Sequence, residues 1–153
     1  MVVPRFVEQA LDNAPITVYG DGNQSRSFTY VGDVVRAMTA LVEDPRAEGE
    51  VFNIGNGQEI AIRALASKIR EMTASSSSIV NVPYDVAYQA GFEDMPRRVP
   101  CIDKIRALVG YEPQVGLDEM LREVILDAER MRACKSRRLS ARPSSAPTAV
   151  VHA

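Results

Sequence analysis

Three arginines stand where fixed positive charge can be used: Arg26, just beyond the Gly20-Asp21-Gly22 turn, and the adjacent Arg97 and Arg98 in a stretch without periodicity. A guanidinium carries planar, permanently charged N–H donors suited to carboxylate and phosphate oxygens. By residue type alone, Arg26 serves equally as a surface partner of Asp21 or Asp33, and Arg97-Arg98 as a solvated basic pair. The groups needed for other chemistries are missing. His152 is the only histidine and lies next to the last residue, which excludes a His-based mechanism and a multi-His metal site. Cys101 and Cys134 lie far apart, outside metal-ligand spacing, and read as two reduced thiols. None of the five tyrosines, at 19, 30, 84, 88 and 111, has a Lys four residues on. No phenol beside an ammonium at helical spacing is therefore available to take a hydroxyl proton near neutrality. Gly20-Asp21-Gly22 and Gly55-Asn56-Gly57 lack the third spaced glycine of a dinucleotide cradle and read as turns. No catalytic residue and no metal ligand set is assigned.

The elements that must position these residues follow from apolar spacing. Val3, Phe6, Val7, Ala10 and Leu11 share one face of a helix over about 3–12, with Pro4 tolerable in its first turn. Ile16 to Tyr19 is a β-branched and aromatic run that ends at the Gly20 turn, and Ser27 to Val31 reads as a further extended segment. Asp33 stands as the N-cap of a helix carrying Val34, Val35, Met38, Leu41 and Val42, which Asp44-Pro45 ends. Glu50 to Ile54 predicts a strand, Ile62 to Met72 a helix, and Ile79 to Val82 a short strand. Pro83 to Pro100 has no period and is too long for a simple connector, the profile of a binding loop. A short helix from Ile102 closed by Gly110, and a last helix over Leu117 to Met131, complete an alternation that predicts an α/β fold.

The chain of 153 residues fits one domain with one core. Residues 1–133 carry a net charge of −6, so the body does not attract nucleic acid by its overall field. Residues 134–153 carry +4 and are rich in Ser, Ala, Pro and Arg without period; this segment is expected to be a disordered basic tail. Lys135, Arg137, Arg138 and Arg142 in it are read as solvated charge, and a nucleic-acid partner is not expected. No apolar run approaches the roughly 20 residues that cross a bilayer, and the start lacks a secretory pattern, so a cytoplasmic protein without a membrane partner is expected. The first helix offers an apolar face with no preceding strand to cover it, which points to an amino-terminal half that is not here.

The segment Ile16 to Val35, with its Gly20-Asp21-Gly22 and Arg26-Ser27-Phe28-Thr29-Tyr30-Val31-Gly32-Asp33, closely resembles the extended short-chain dehydrogenase/reductases that modify nucleotide sugars. Val3-Pro4-Arg5-Phe6-Val7, Val51-Phe52-Asn53-Ile54-Gly55, Arg97-Arg98-Val99-Pro100 and Leu108 to Pro113 match in order, and together the likeness covers about residues 2–130. The chain looks most like UDP-glucuronate decarboxylases, nucleotide-sugar 4-epimerases and dTDP-glucose 4,6-dehydratases. The resemblance implies a small mixed α/β carboxyl-terminal substrate-binding domain over 1–133, without the Rossmann half that holds NAD and the Tyr-x-x-x-Lys pair. It implies that Arg26 contacts the diphosphate and that Arg97 or Arg98 supplies a second cation. It places Val18 and Tyr19 at the edge holding the nucleobase, partly through backbone groups, and Pro4 and Phe6 near base and ribose. Phe6 also has the spacing of a packing residue, and Asn53, implied near the nucleotide, serves equally as a turn-stabilising Asn. Where relatives have Pro-Asp this chain has Pro100-Cys101, so a capping or loop-ordering carboxylate is missing unless Asp103 replaces it. The function implied is the substrate-binding part of an NAD-dependent epimerase, dehydratase or decarboxylase, binding no cofactor alone. The alternative is a non-catalytic nucleotide-sugar binding or interaction module that complements a separate Rossmann chain.

Overall fold

The structure is a computed structural model that describes residues 1–87 and 94–140, with side chains through 136. Helix α1, Val2–Leu11, buries Phe6, Val7 and Ala10, three of the residues its apolar spacing marks for the core. Strand β1, Ile16–Tyr19, runs parallel to β4, Ile79–Val82, with Ile16 opposite Ile79 and Tyr19 opposite Val82. The two-residue alternation of a strand buries Ile16 and Val18 and leaves Thr17 and Tyr19 half-buried. On the edge of β1 away from β4, α1 satisfies the backbone: Thr17 N–H donates to Gln9 Oε1 at 3.1 Å and Thr17 C=O accepts from Arg5 Nη2 at 3.1 Å.

A second sheet has the order β3, β2, β5: Glu59–Ala61 antiparallel to Ser25–Ser27, which is parallel to Arg97–Arg98. Helix α3, Ile62–Met72, and helix α6, Leu117–Ser140, close the main core with Leu65, Ala66, Ile69, Leu121 and Ile125 against α1 and β1. A smaller cluster joins Ala37 of α2, Val31–Glu43, to Ile102, Ile105 and Tyr111 around α5, Asp103–Val109. Tyr111 O–H donates to the Gly55 carbonyl at 3.0 Å there, which satisfies the buried phenol. Gly110 ends α5 in the left-handed region at φ 68°, as a helix-closing glycine does. The described residues therefore form two apolar clusters where one core was expected.

Four further expectations need correction. Glu50 to Ile54 is not a strand: Phe52 and Ile54 pack on the smaller cluster and Val51 and Asn53 are exposed, but no strand among the described residues forms a ladder with them. The alternation reports one buried face, whereas a strand also needs a partner. The extended segment is Ser25–Ser27 rather than Ser27 to Val31, because its ladder to β3 and β5 selects those residues. Asp33 is not the N-cap of α2, a place taken by Tyr30; it lies buried in the first turn, and its carboxylate reaches across the fold. Helix α6 includes residues 134–140, and the rest of the stretch read as a tail, Arg142 and His152 with it, lies outside the described residues. Asp103 does not cap α5: it accepts from the Cys101 thiol at 3.3 Å and pairs with Arg106. Cys101 and Cys134 are free and exposed. Among the described residues, no helix is long and apolar enough to cross a membrane.

Candidate functional site

The site is built where β2 meets β5. Register places Arg98 directly beside Arg26 in a parallel pair, so the two side chains leave the same face of the sheet from strands about 4.8 Å apart. Arg97 is beside Ser25 and leaves the other face. There its Nε donates to Glu59 Oε1 and Oε2 at 3.1 and 3.0 Å, and Ser25 Oγ donates to the same carboxylate at 2.7 Å. The Arg97 guanidinium and then the Ser25 hydroxyl hold the Glu59 carboxyl below its ordinary range. Arg98 is exposed, and its side chain makes no hydrogen bond or ion pair among the described residues. The adjacent arginines thus have different work: one ties β5 to β3, the other adds a solvated cation beside Arg26.

Arg26 pairs with neither Asp21 nor Asp33. Its Nη2 forms an ion pair with Asp94, and its Nη1 donates to the carbonyls of Ser25 at 2.7 Å and Met95 at 2.8 Å. These three acceptors fix the guanidinium plane and leave the Nε–H and one Nη2–H for a further oxygen. Tyr84, in the short helix α4, Tyr84–Ala87, donates its O–H to the second Asp94 oxygen at 3.0 Å. Gln24 Nε2 donates to Tyr84 Oη and to the Tyr19 carbonyl, each at 2.9 Å. Burial, and then the hydrogen bond to Asp94 and its charge, push the Tyr84 phenol up to about 12, so it remains a donor through the neutral range.

The Gly20-Asp21-Gly22 turn makes this assembly possible. Gly20 and Gly22 have φ of 70° and 78°, a region that costs a side chain energy, and both are crowded. A Cβ on Gly20 would sit 2.4 Å from the Tyr84 ring, and one on Gly22 would sit 2.8 Å from Val18 Cγ1. Neither Gly-x-Gly turn opens a helix: the first leads into β2 and the second into β3. The pyrophosphate of a dinucleotide needs donors at a helix start, so these turns do not fit NAD.

The remaining expected site residues divide. Tyr19 is half-buried, with the Arg5 guanidinium 4.1 Å from its ring centroid, and stands at the end of β1 next to the Gln24 contact. Val18 and Phe6 are fully buried core side chains, which leaves only backbone groups to offer a ligand. Pro4 is exposed and borders a groove between α1 and α6 with Val7, Val124, Ala128 and Met131. Asn53 is exposed in the irregular run before β3 and joins no contact with Arg26. Sequence reasoning missed Asp94, Tyr84 and Gln24. The first two lie in the aperiodic Pro83 to Pro100 stretch, whose lack of period was the one available signal. Residues 88–93 of that stretch lie outside the described residues.

The alternation of short strands and helices on two small sheets is the fold of part of an epimerase of the extended short-chain dehydrogenase/reductase family. A model of the family described as GDP-mannose 4,6 dehydratase matches residues 1–124, and the chain belongs to that family. It is 42% identical over 124 residues to a UDP-N-acetyl-alpha-D-glucosaminuronate decarboxylase of Bacillus cytotoxicus, covering 81% of this chain and 38% of the relative. It is 36% identical to UDP-glucuronic acid decarboxylase 1 of Arabidopsis thaliana, covering 82% of this chain and 27% of that one. Among solved structures, an epimerase from Methanothermobacter thermautotrophicus superposes with TM-score 0.79 at 31% identity, over 89% of this chain and 39% of that chain. The UDP-glucuronic acid 4-epimerase of Bacillus cereus, solved with UDP-glucuronic acid and NAD, gives TM-score 0.76 at 26% identity, over 86% and 40%. The chain thus spans well under half the length of these relatives.

Proposed function

We propose that this chain is the nucleotide-sugar-binding part of an NAD-dependent epimerase, dehydratase or decarboxylase, and that Arg26 and Arg98 hold the nucleoside diphosphate. The observation that carries this reading is their register: two guanidiniums on one face of adjacent strands, one anchored with two N–H groups to spare and one solvated. Two fixed cations side by side suit an anion of two adjacent phosphates. The end of β1 at Val18 and Tyr19 then takes the base, with backbone groups rather than the Val18 side chain making the contact. Arg97, bound to Glu59, has a structural role.

Catalysis is assigned to the part of the relatives' length that lies outside their match to this chain. In the whole enzyme, NAD supplies hydride chemistry on the sugar, while the residues here bind and orient the diphosphate. The surface supports a covering partner. Val31, Val35, Met38 and Val42 form an exposed apolar stripe along α2, and Val51 is exposed in the unladdered run nearby in sequence. A Rossmann half, in the same polypeptide or a separate one, is the partner that fits. A cytoplasmic location is part of the same proposal.

Calorimetric titration tests this reading. UDP should bind the chain, NAD should not, and Arg26→Ala should weaken UDP about tenfold or more through loss of a charge-assisted contact. UDP-glucose and UDP-glucuronate should stay unconverted. Unchanged UDP affinity in Arg26→Ala, or conversion of either sugar by the chain alone, would remove the proposal.

A further inference from the structure

We propose that Tyr84 and Asp94 are positioning residues for Arg26, coupling the diphosphate cation to the base-side end of β1; this rests on the reading of Arg26 above. The Arg26 side chain is only 20% exposed, so its charge is partly out of water and its direction is set by what it touches. Two backbone carbonyls hold Nη1, and among the described residues Asp94 alone holds Nη2. Asp94 is itself 25% exposed, and its second oxygen is held by the Tyr84 hydroxyl.

Tyr84 has little freedom to move. Its ring lies against Gly20 so closely that no Cβ fits between them, and its oxygen accepts from the Gln24 amide, which also donates to the Tyr19 carbonyl. A continuous polar chain therefore runs from Tyr19 through Gln24, Tyr84 and Asp94 to Arg26, joining β1, α4, β2 and the approach to β5. A base that displaces the end of β1 and a phosphate that loads Arg26 act on opposite ends of this chain. The phenol keeps its proton far above neutral pH, so the link does not titrate in the physiological range.

Positioning and simple charge make opposite predictions for Asp94. Deleting a carboxylate beside an anion site strengthens anion binding by field alone, whereas losing the group that aims Arg26 weakens it. The full chain should be titrated with UDP and with uridine, which lacks the diphosphate. We expect Tyr84→Phe, which keeps the ring over Gly20 and changes no charge, to weaken UDP about fivefold and to leave uridine within about twofold. Asp94→Ala should also weaken UDP despite removing negative charge. In an Arg26→Ala background, Tyr84→Phe should have no further effect, since the two act through one contact. Tighter UDP binding by Asp94→Ala, equal losses for UDP and uridine in Tyr84→Phe, or additive effects in the double variant would overturn the inference. If the wild-type chain binds no UDP, or Arg26→Ala binds it as wild type does, the site reading fails and takes this inference with it. If Arg26→Ala weakens UDP while Tyr84→Phe does not, only the positioning role is lost.

Discussion

The Asp33 carboxylate accepts the Gln114 backbone N–H at 3.0 Å, and also that of Val115 at 3.2 Å, tying the first turn of α2 to the connection between α5 and α6. Asp33 is buried, and Arg36 Nη1 lies 2.8 Å from its Oδ1 as an ion pair without the geometry of a hydrogen bond. Burial alone pushes the carboxyl up, but the Val115 and Gln114 N–H groups and Arg36 together outweigh it and hold it below its ordinary range. A group with a depressed folded pKa adds stability that is present above its unfolded value, about 4, and is lost as pH falls through the folded one. Asp33→Asn should therefore be less stable than wild type at pH 7, by about 1–3 kcal/mol. The gap should narrow below about pH 4, as urea unfolding across pH will record. A gap that does not change with pH would assign the loss to shape rather than charge.

Gly20 and Gly57 should respond differently to the same substitution. Gly20→Ala meets both a positive φ and the Tyr84 ring, whereas nothing lies within 4 Å of a Cβ on Gly57. Urea unfolding should show a loss of about 1–3 kcal/mol for Gly20→Ala and under about 0.5 kcal/mol for Gly57→Ala.

Arg98→Ala should weaken UDP by about threefold to tenfold, with the loss shrinking at high salt because the group is solvated. Arg97→Ala should leave UDP affinity within about twofold, since that guanidinium faces away and is bound to Glu59. Calorimetry at two salt concentrations separates them. The reverse order of effects would place the anion on the other face of the sheet.

Phe6→Leu should cost stability, about 1 kcal/mol, and leave UDP affinity of the folded chain unchanged, because Phe6 is wholly buried in the main core. Thermal unfolding followed by UDP titration will decide it. A selective loss of UDP binding would return Phe6 to the site.

The amino-acid sequence by itself determined the α/β class, the helices built on apolar spacing, the turns at Gly20 and Gly110, and the family. Each depends on contacts close along the chain or on a motif kept as a linear string, such as Gly20 to Arg26. Helical period brought out α1 and α3 because residues three and four apart share a face whatever lies beyond it. The tertiary structure alone decided which arginine of the Arg97-Arg98 pair stands beside Arg26, because a side chain's face depends on strand register. It alone paired Arg26 with Asp94 and Tyr84, and sent Asp33 across to Gln114. It also denied Glu50 to Ile54 a ladder, although the alternation there is correct. In each case the partner lies in a distant segment, and no local pattern of polarity encodes which distant donor or strand will be brought alongside.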